Sequence, residues 1–343
     1  MNFNSSPFRW LSSIVMAAML STMLAACAPT QPAPTTEQSA TESSETSNNS
    51  AASSNGSKAT GEQTTYPLTI KDATGYAFTF KEEPKRIVSI SPAETEALFA
   101  LGLDQQIVGV SEYDNYPEAV KTKARIGGVS KPDVEAVVAL RPDVVFTGIS
   151  SSEALVKELR AAGIPIFKTT PKTIDDVISN IELYGKITNH QAEAQQVTDH
   201  MRQQVKMVTD AVASLTPEQK KKVYIEFSPG WTVGKGEFMD EMITLAGGIN
   251  IAGDTTGWHE INEEAIVAAN PDVILYSKGS MDTKTNQTLD QIIRARSGWN
   301  KIKAIQNNQL FGLDDDLVSR PGPRVTDGLV EIAHAIYPNL FKQ

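Results

Sequence analysis

Residues 135–146 (EAVVALRPDVVF) and 264–275 (EAIVAANPDVIL) are two copies of one pattern, set 129 positions apart. Each copy is a short apolar helix end, then a Pro-Asp turn, then a β-branched run. The residue before a proline is pushed out of the helical region, so Arg141 and Asn270 mark helix ends. Asp143 and Asp272 then help to turn the chain. Runs such as Val144-Val145-Phe146 and Val273-Ile274-Leu275, apolar on both faces, suit strands buried inside a parallel sheet. A module that occurs twice, far apart, calls for two α/β units.

The flanking pattern agrees. Residues 86–90 (RIVSI) form a strand, and Ser91-Pro92 opens a helix that stops at Gly102. Residues 223–227 (VYIEF) form a second such strand, followed by a Gly-rich loop and a helix ending at Gly247-Gly248. Strand and helix alternate in both halves, which argues for parallel sheets in each. Before the first half, 68–70 and 78–80 flank Asp72-Ala73-Thr74-Gly75 and read as a hairpin. Between the halves Ile174, Val177, Ile178, Ile181, Tyr184 and Ile187 keep helical spacing. Thr188-Asn189-His190 breaks that helix. A second helix over about 191–214, roughly 36 Å long at helical rise, joins the halves as one stiff connector.

The start of the chain is of another kind. Arg9 precedes an uncharged apolar run from Trp10 to Ala26, and the chain's one cysteine, Cys27, follows Leu24-Ala25-Ala26. A basic start, an apolar middle and small residues before a cut describe a secretory leader. The run falls short of the ~20 apolar residues of a membrane span. With Cys27 placed there, no cysteine is left for a disulfide. From 28 to about 65 the chain is mainly Ser, Thr, Ala, Asn, Gln and Pro with a few charges, and has no aromatic or large aliphatic residue, a composition that stays disordered. Its reach as a tether is roughly 35 Å. The formal charge is −10. An acidic body without a basic stripe does not fit nucleic acid.

The motifs together bear a family likeness. Residues 85–92 (KRIVSISP), Gly127-Gly128, 238–241 (FMDE), 245–250 (LAGGIN) and 320–324 (RPGPR) resemble the substrate-binding proteins of ABC importers, in the class with a rigid helical backbone. The segment Leu24-Ala25-Ala26-Cys27 resembles the lipobox of bacterial lipoproteins, in which the cysteine is lipidated. The resemblance implies two Rossmann-like α/β lobes joined by one long helix, with a ligand cleft between them. The expected layout is a leader over 1–26, Cys27 and tether over 27–65, a first lobe over 66–172, a helical segment over 173–216 and a second lobe over 217–343. It implies a monomeric binder on the outer face of the plasma membrane, without resident cofactor or chemistry of its own, that hands cargo to permease subunits.

Members of this class bind cobalamin, ferric siderophores or haem. Residues 112–117 (EYDNYP) and 257–261 (GWHEI) resemble the cobalamin branch, with ferric siderophore or haem as the alternative. Tyr113, Tyr116, Trp231 and Trp258 fall in loops expected at strand C-terminal ends, where open α/β sheets bind ligands. Flat rings suit a corrin or porphyrin, and the competing reading is loop packing. Arg320 and Arg324 are candidates to meet a ligand anion or to cap the C-terminal helix region. Ser91 with Glu94 matches a capping box. By resemblance, Glu96 and Glu241 match acidic knobs that dock on permease arginines; the competing reading is two ordinary first-turn acids. The four histidines, His190, His200, His259 and His334, show no metal-ligand spacing. An extracellular hydrolase lacks its Gly-x-Ser-x-Gly elbow and His-Glu-x-x-His motif here. An adhesion protein would not need aromatics lining a cleft.

Overall fold

The computed structural model describes residues 63–341. The leader, Cys27 and most of the tether lie outside the described residues. The chain enters through a hairpin of β1 (Leu68–Lys71) and β2 (Ala77–Phe80), paired antiparallel. Asp72 closes the turn by accepting from the Thr74 backbone N–H and hydroxyl. The same carboxylate accepts from the Lys168 N–H and pairs with Arg160, which stitches the hairpin to the first lobe.

That lobe alternates β3 (Ile87–Ser89), α1 (Pro92–Ala100), β4 (Ile107–Val110), β5 (Ala124–Arg125), α2 (Val134–Ala139), β6 (Val144–Thr147), α3 (Glu153–Ala161) and β7 (Ile166–Lys168). The strands form one parallel sheet in the order β5-β4-β3-β6-β7. β3, β6 and β7 are buried along their whole length, which explains their β-branched and aromatic composition. Each fully buried Val, Ile or Phe in them contributes about 1.5–3 kcal/mol of burial.

Two helices follow, α4 (Ile174–Thr188) and α5 (Gln191–Val212). Thr173 and Asp176 form a reciprocal capping box at the start of α4. Asn189, with φ of 60°, ends it in the left-handed conformation. The helices close on each other where Gly185 meets Ala194; a Cβ on Gly185 would collide with that methyl. α5 is about 33 Å long and packs on α1 of the first lobe and on elements of the second.

The second lobe runs through β8 (Lys222–Glu226), β9 (Trp231–Val233), α6 (Phe238–Leu245), β10 (Ile249–Asn250), β11 (Trp258–Glu260), α7 (Glu263–Ala269), β12 (Val273–Ser277), α8 (Leu289–Ala295), α9 (Lys303–Gln306), β13 (Leu310–Leu313), α10 (Asp315–Ser319) and α11 (Val325–Ile336). Its main sheet is parallel, in the order β10-β8-β12-β13. The architecture is therefore two α/β lobes with parallel sheets and a helical connector.

The repeat is structural. α2–β6 and α7–β12 are the two copies, and Arg141 and Asn270 take the same left-handed conformation, with φ of 45° and 51°. Each following aspartate does more than turn the chain. Asp143 accepts from the N–H groups of Lys85 and Arg86, just before β3, and Asp272 accepts from that of Lys222 in β8. Each thus secures the start of the neighbouring strand in its own lobe.

Candidate ligand-binding site

The loops that leave β3 and β4 in the first lobe meet the loop that leaves β13 in the second. The C-terminal edges of the two sheets therefore face one seam, where open α/β sheets hold ligands. Glu96, in α1, is 3% exposed and accepts three hydrogen bonds across that seam. Arg324 Nε donates to Oε2 at 2.8 Å and Arg324 Nη2 to Oε1 at 2.7 Å. Arg320 Nη1 donates to Oε1 at 2.9 Å. Arg320 also donates to the Asn115 side-chain oxygen at 2.7 Å and pairs with Asp316 at 2.6 Å. The Asn115 amide donates to Asp316 at 3.0 Å. The Arg324 guanidinium lies 4.0 Å from the centroid of the Tyr116 ring, a cation–π contact. Glu96 also holds the Arg324 guanidinium above its ordinary pKa, against the opposing effect of burial.

Glu96 is therefore not an exposed docking knob. It is buried because two guanidinium groups and the helix around it cover it. Glu241 is half-buried and accepts from the Ile174 N–H at 2.9 Å, at the first turn of α4. A carboxylate is favoured at a helix N-terminus. Burial, then the neighbouring Asp175 and Asp176, push its carboxyl above the usual range despite that bond. Both acids tie parts of the molecule together.

The capping box expected of Ser91 and Glu94 does not form. Ser91 holds the N-cap position and Pro92 follows it, but no side-chain cap bond is made. The Ser91 hydroxyl instead donates to Glu94 Oε2 at 2.6 Å. Glu94 lies fully inside the lobe, with Thr169 donating to Oε1 at 3.4 Å. A Cβ on Gly148 would run into the carboxylate, so only glycine admits Glu94 there. Burial pushes the Glu94 carboxyl up to about 7. Nearby, Asp114 is also raised by burial, though Ser111 donates to it at 2.5 Å.

The four aromatic candidates divide into two groups. Tyr113 and Tyr116, on the loop after β4, are 64% and 47% exposed. Trp231 and Trp258 are 41% and 45% exposed, on the second lobe. They are not in loops: they sit on β9 and β11, which pair antiparallel and place Glu260 opposite Trp231. The Gly-rich segment after β8 thus folds into a ladder. Trp258 packs edge-on to Phe227 at 5.5 Å and donates its indole N–H to Glu237 at 3.0 Å. Among the described residues no ring contact links the tyrosines to the tryptophans.

Three residues escaped the sequence reading. Asn115 and Asp316 complete the seam network. Glu226, fully buried at the end of β8, accepts from Arg296 at 2.5 Å, from the Tyr224 hydroxyl at 2.9 Å and from the Gly230 N–H at 2.9 Å. It thereby holds the turn that leads into Trp231. The cavities around the N-terminal hairpin carry none of the four aromatics. The one of about 470 Å³ beside the hairpin is lined by Tyr76, Phe78, Arg160 and Pro165, and Arg160 is already committed to Asp72.

Comparison with known proteins agrees with this fold. The ABC transporter substrate-binding lipoprotein YvrC of Bacillus subtilis, itself described as uncharacterized, is 35% identical over 285 residues, 81% of this chain and 88% of its own. A cobalamin-binding protein of Halobacterium salinarum is 31% identical over 279 residues, 80% of this chain and 75% of its own. Among solved structures, the periplasmic vitamin B12 binding protein BtuF of Vibrio cholerae superposes with a TM-score of 0.64 at 25% identity, over 76% of this chain and 99% of that one. The heme-binding protein RhuT of Roseiflexus gives 0.66 at 25% identity, over 75% and 99%. The sequence profile described as periplasmic binding protein matches residues 87–317, most of the chain, and the chain belongs to that family.

Proposed function

We propose that this chain is the solute-binding subunit of an ABC importer. It captures cobalamin or a related corrinoid in the seam between its lobes and delivers it to a membrane permease. The observation that carries the reading is a charge-balanced seam between the lobes, with Tyr113 and Tyr116 exposed on the first lobe and Trp231 and Trp258 exposed on the second. Rings bury much area at low entropic cost, which suits a large, flat ligand. A relative named as cobalamin-binding and a solved B12-binding structure support the same ligand class. Lipidation at Cys27 holds the protein at the outer face of the plasma membrane, in keeping with a relative named as a lipoprotein. Tyr113, Tyr116, Trp231 and Trp258 are the proposed ligand contacts. Arg320 takes a supporting place through its bond to Asn115.

A second reading is haem. Tyr113 offers an exposed phenol, a haem-iron ligand type, and one structural neighbour is a haem binder.

Docking on the permease needs free acids, which Glu96 and Glu241 do not supply. Glu135 and Glu264 do. They hold the same place in the two repeat copies, in the first turns of α2 and α7, one per lobe, and both are exposed. Two carboxylates on separate lobes orient and steer a complex with a basic partner.

Titrating the full-length protein with cyanocobalamin, haemin and a panel of ferric siderophores, followed by tryptophan fluorescence and calorimetry, tests the ligand assignment. Saturable binding of cyanocobalamin is expected. Heat and quenching from haemin alone would move the assignment to haem, and silence from cyanocobalamin would end the corrinoid reading.

A further inference from the structure

We propose that Glu96 sets the charge class of the ligand, by taking up the two arginines of the seam so that a neutral ligand is accepted and a polyanion is not. The proposal rests on the seam being the ligand site. An unpaired arginine at a cleft is a strong anion receptor, because its fork of donors matches carboxylate, phosphate or catecholate oxygens. Here two arginines stand at one edge, four residues apart. Their side chains are 15% and 21% exposed, so they border the seam and are not sealed from it.

Their charges are nevertheless already met by carboxylates. Arg324 gives Nε and Nη2 to the two oxygens of Glu96, and its guanidinium plane is covered by Tyr116 at 4.0 Å. Arg320 gives Nη1 to Glu96 and Asn115 and Nη2 to Asp316. Two acids face two arginines, so the cluster carries no net charge. Asp316 lies on the arginines' own side of the seam. Of the two acids only Glu96 comes from the opposite lobe, and it touches both guanidinium groups. Removing its charge leaves two cations against one anion, turned toward the ligand space. A clamp that only held the lobes together would need the bonds but would not change which ligand charge is accepted.

The test compares wild type with Glu96→Gln, titrated with cyanocobalamin and with a ferric tris-catecholate siderophore complex, a trianion. Folding is followed by circular dichroism. Wild type should bind the trianion weakly or not at all. Glu96→Gln should gain about tenfold or more for the trianion at low salt, and the gain should shrink as salt screens it. Adding Arg324→Gln to Glu96→Gln restores the charge balance and should remove the gain. A folded Glu96→Gln that gains nothing overturns the proposal. So does wild type that binds the trianion as tightly as cyanocobalamin, a result that needs no variant to fold. A trianion gain in Glu96→Gln while neither protein binds cyanocobalamin would sink the corrinoid reading and leave this one standing. Cyanocobalamin bound by both proteins without any trianion gain would do the reverse.

Discussion

Glu96 and Arg324, 228 residues apart in sequence, meet side by side across the seam, with both carboxylate oxygens taken by one guanidinium. The pair fixes how the edge of the first sheet faces the second lobe. Arg320 adds a further bond to the same carboxylate. Breaking a largely buried ion pair by removing one partner strands the other charge, and that is where the cost arises. Glu96→Ala is therefore predicted to lower stability by about 3 kcal/mol, read from urea denaturation. A loss below about 0.5 kcal/mol would mean the cluster contributes no more than a solvated surface pair.

Glu94 makes stability depend on pH. Its carboxyl titrates at about 7 in the folded protein, against about 4.3 for an unperturbed glutamate. The folded state thus holds this proton more tightly than the unfolded state. The contribution is fully present below the unfolded value and is lost as pH rises through about 7. Between pH 5 and pH 8 wild type should lose on the order of 2–3 kcal/mol relative to Glu94→Gln. Denaturation curves for the two proteins at both pH values check this. Parallel pH profiles would contradict it.

Arg296 and Glu226 form the buried strut beneath the Trp231 turn. Their side chains are 10% and 0% exposed. Arg296→Met leaves the carboxylate without a counter-charge and should cost about 3–5 kcal/mol. Adding Glu226→Gln should recover part of that loss, giving a coupling energy of at least about 1 kcal/mol in a double-mutant cycle. Strict additivity would show that the two residues act independently.

Trp231 and Trp258 are exposed without lying in flexible loops, because their ladder holds them. Trp231→Ala should weaken cyanocobalamin binding by about 1–3 kcal/mol, the range of an aromatic interface anchor. The thermal midpoint should stay close to wild type, since Trp231 is exposed and outside the core. Calorimetric titration and thermal melting separate the two effects. Unchanged affinity would remove Trp231 from the site.

Docking is tested by Glu135→Ala with Glu264→Ala. Ligand affinity should be unchanged, while uptake of radiolabelled cyanocobalamin by cells carrying the permease should fall by tenfold or more. Equal loss of ligand affinity would mean these acids serve the binding site.

The two lobes were legible because their signals are local and occur twice. The Pro-Asp turns and the β-branched runs of β6 and β12 depend on neighbours in sequence, and so do the breaks at Gly102 and Asn189. The site was legible only in part. Aromatic residues near strand ends stand out in the sequence, and all four are exposed. The roles of the acids were not legible. Glu94 and Glu96 are two residues apart on one helix and look alike. One is buried against Gly148 and the other meets arginines from beyond residue 319. Nothing within a few residues of either separates them. Trp231 and Trp258 were placed in loops because glycines surround them. Their cross-strand pairing, Trp258 opposite Val233 and Glu260 opposite Trp231, joins segments distant in sequence, which local pattern does not reveal.

A co-crystal structure with cyanocobalamin tests the central claim most directly. The corrin should lie between the lobes, touching Tyr113 or Tyr116 on one side and Trp231 or Trp258 on the other, with Glu96 still bound to Arg320 and Arg324. A corrin bound to one lobe only, or outside the seam beside the N-terminal hairpin, would contradict it.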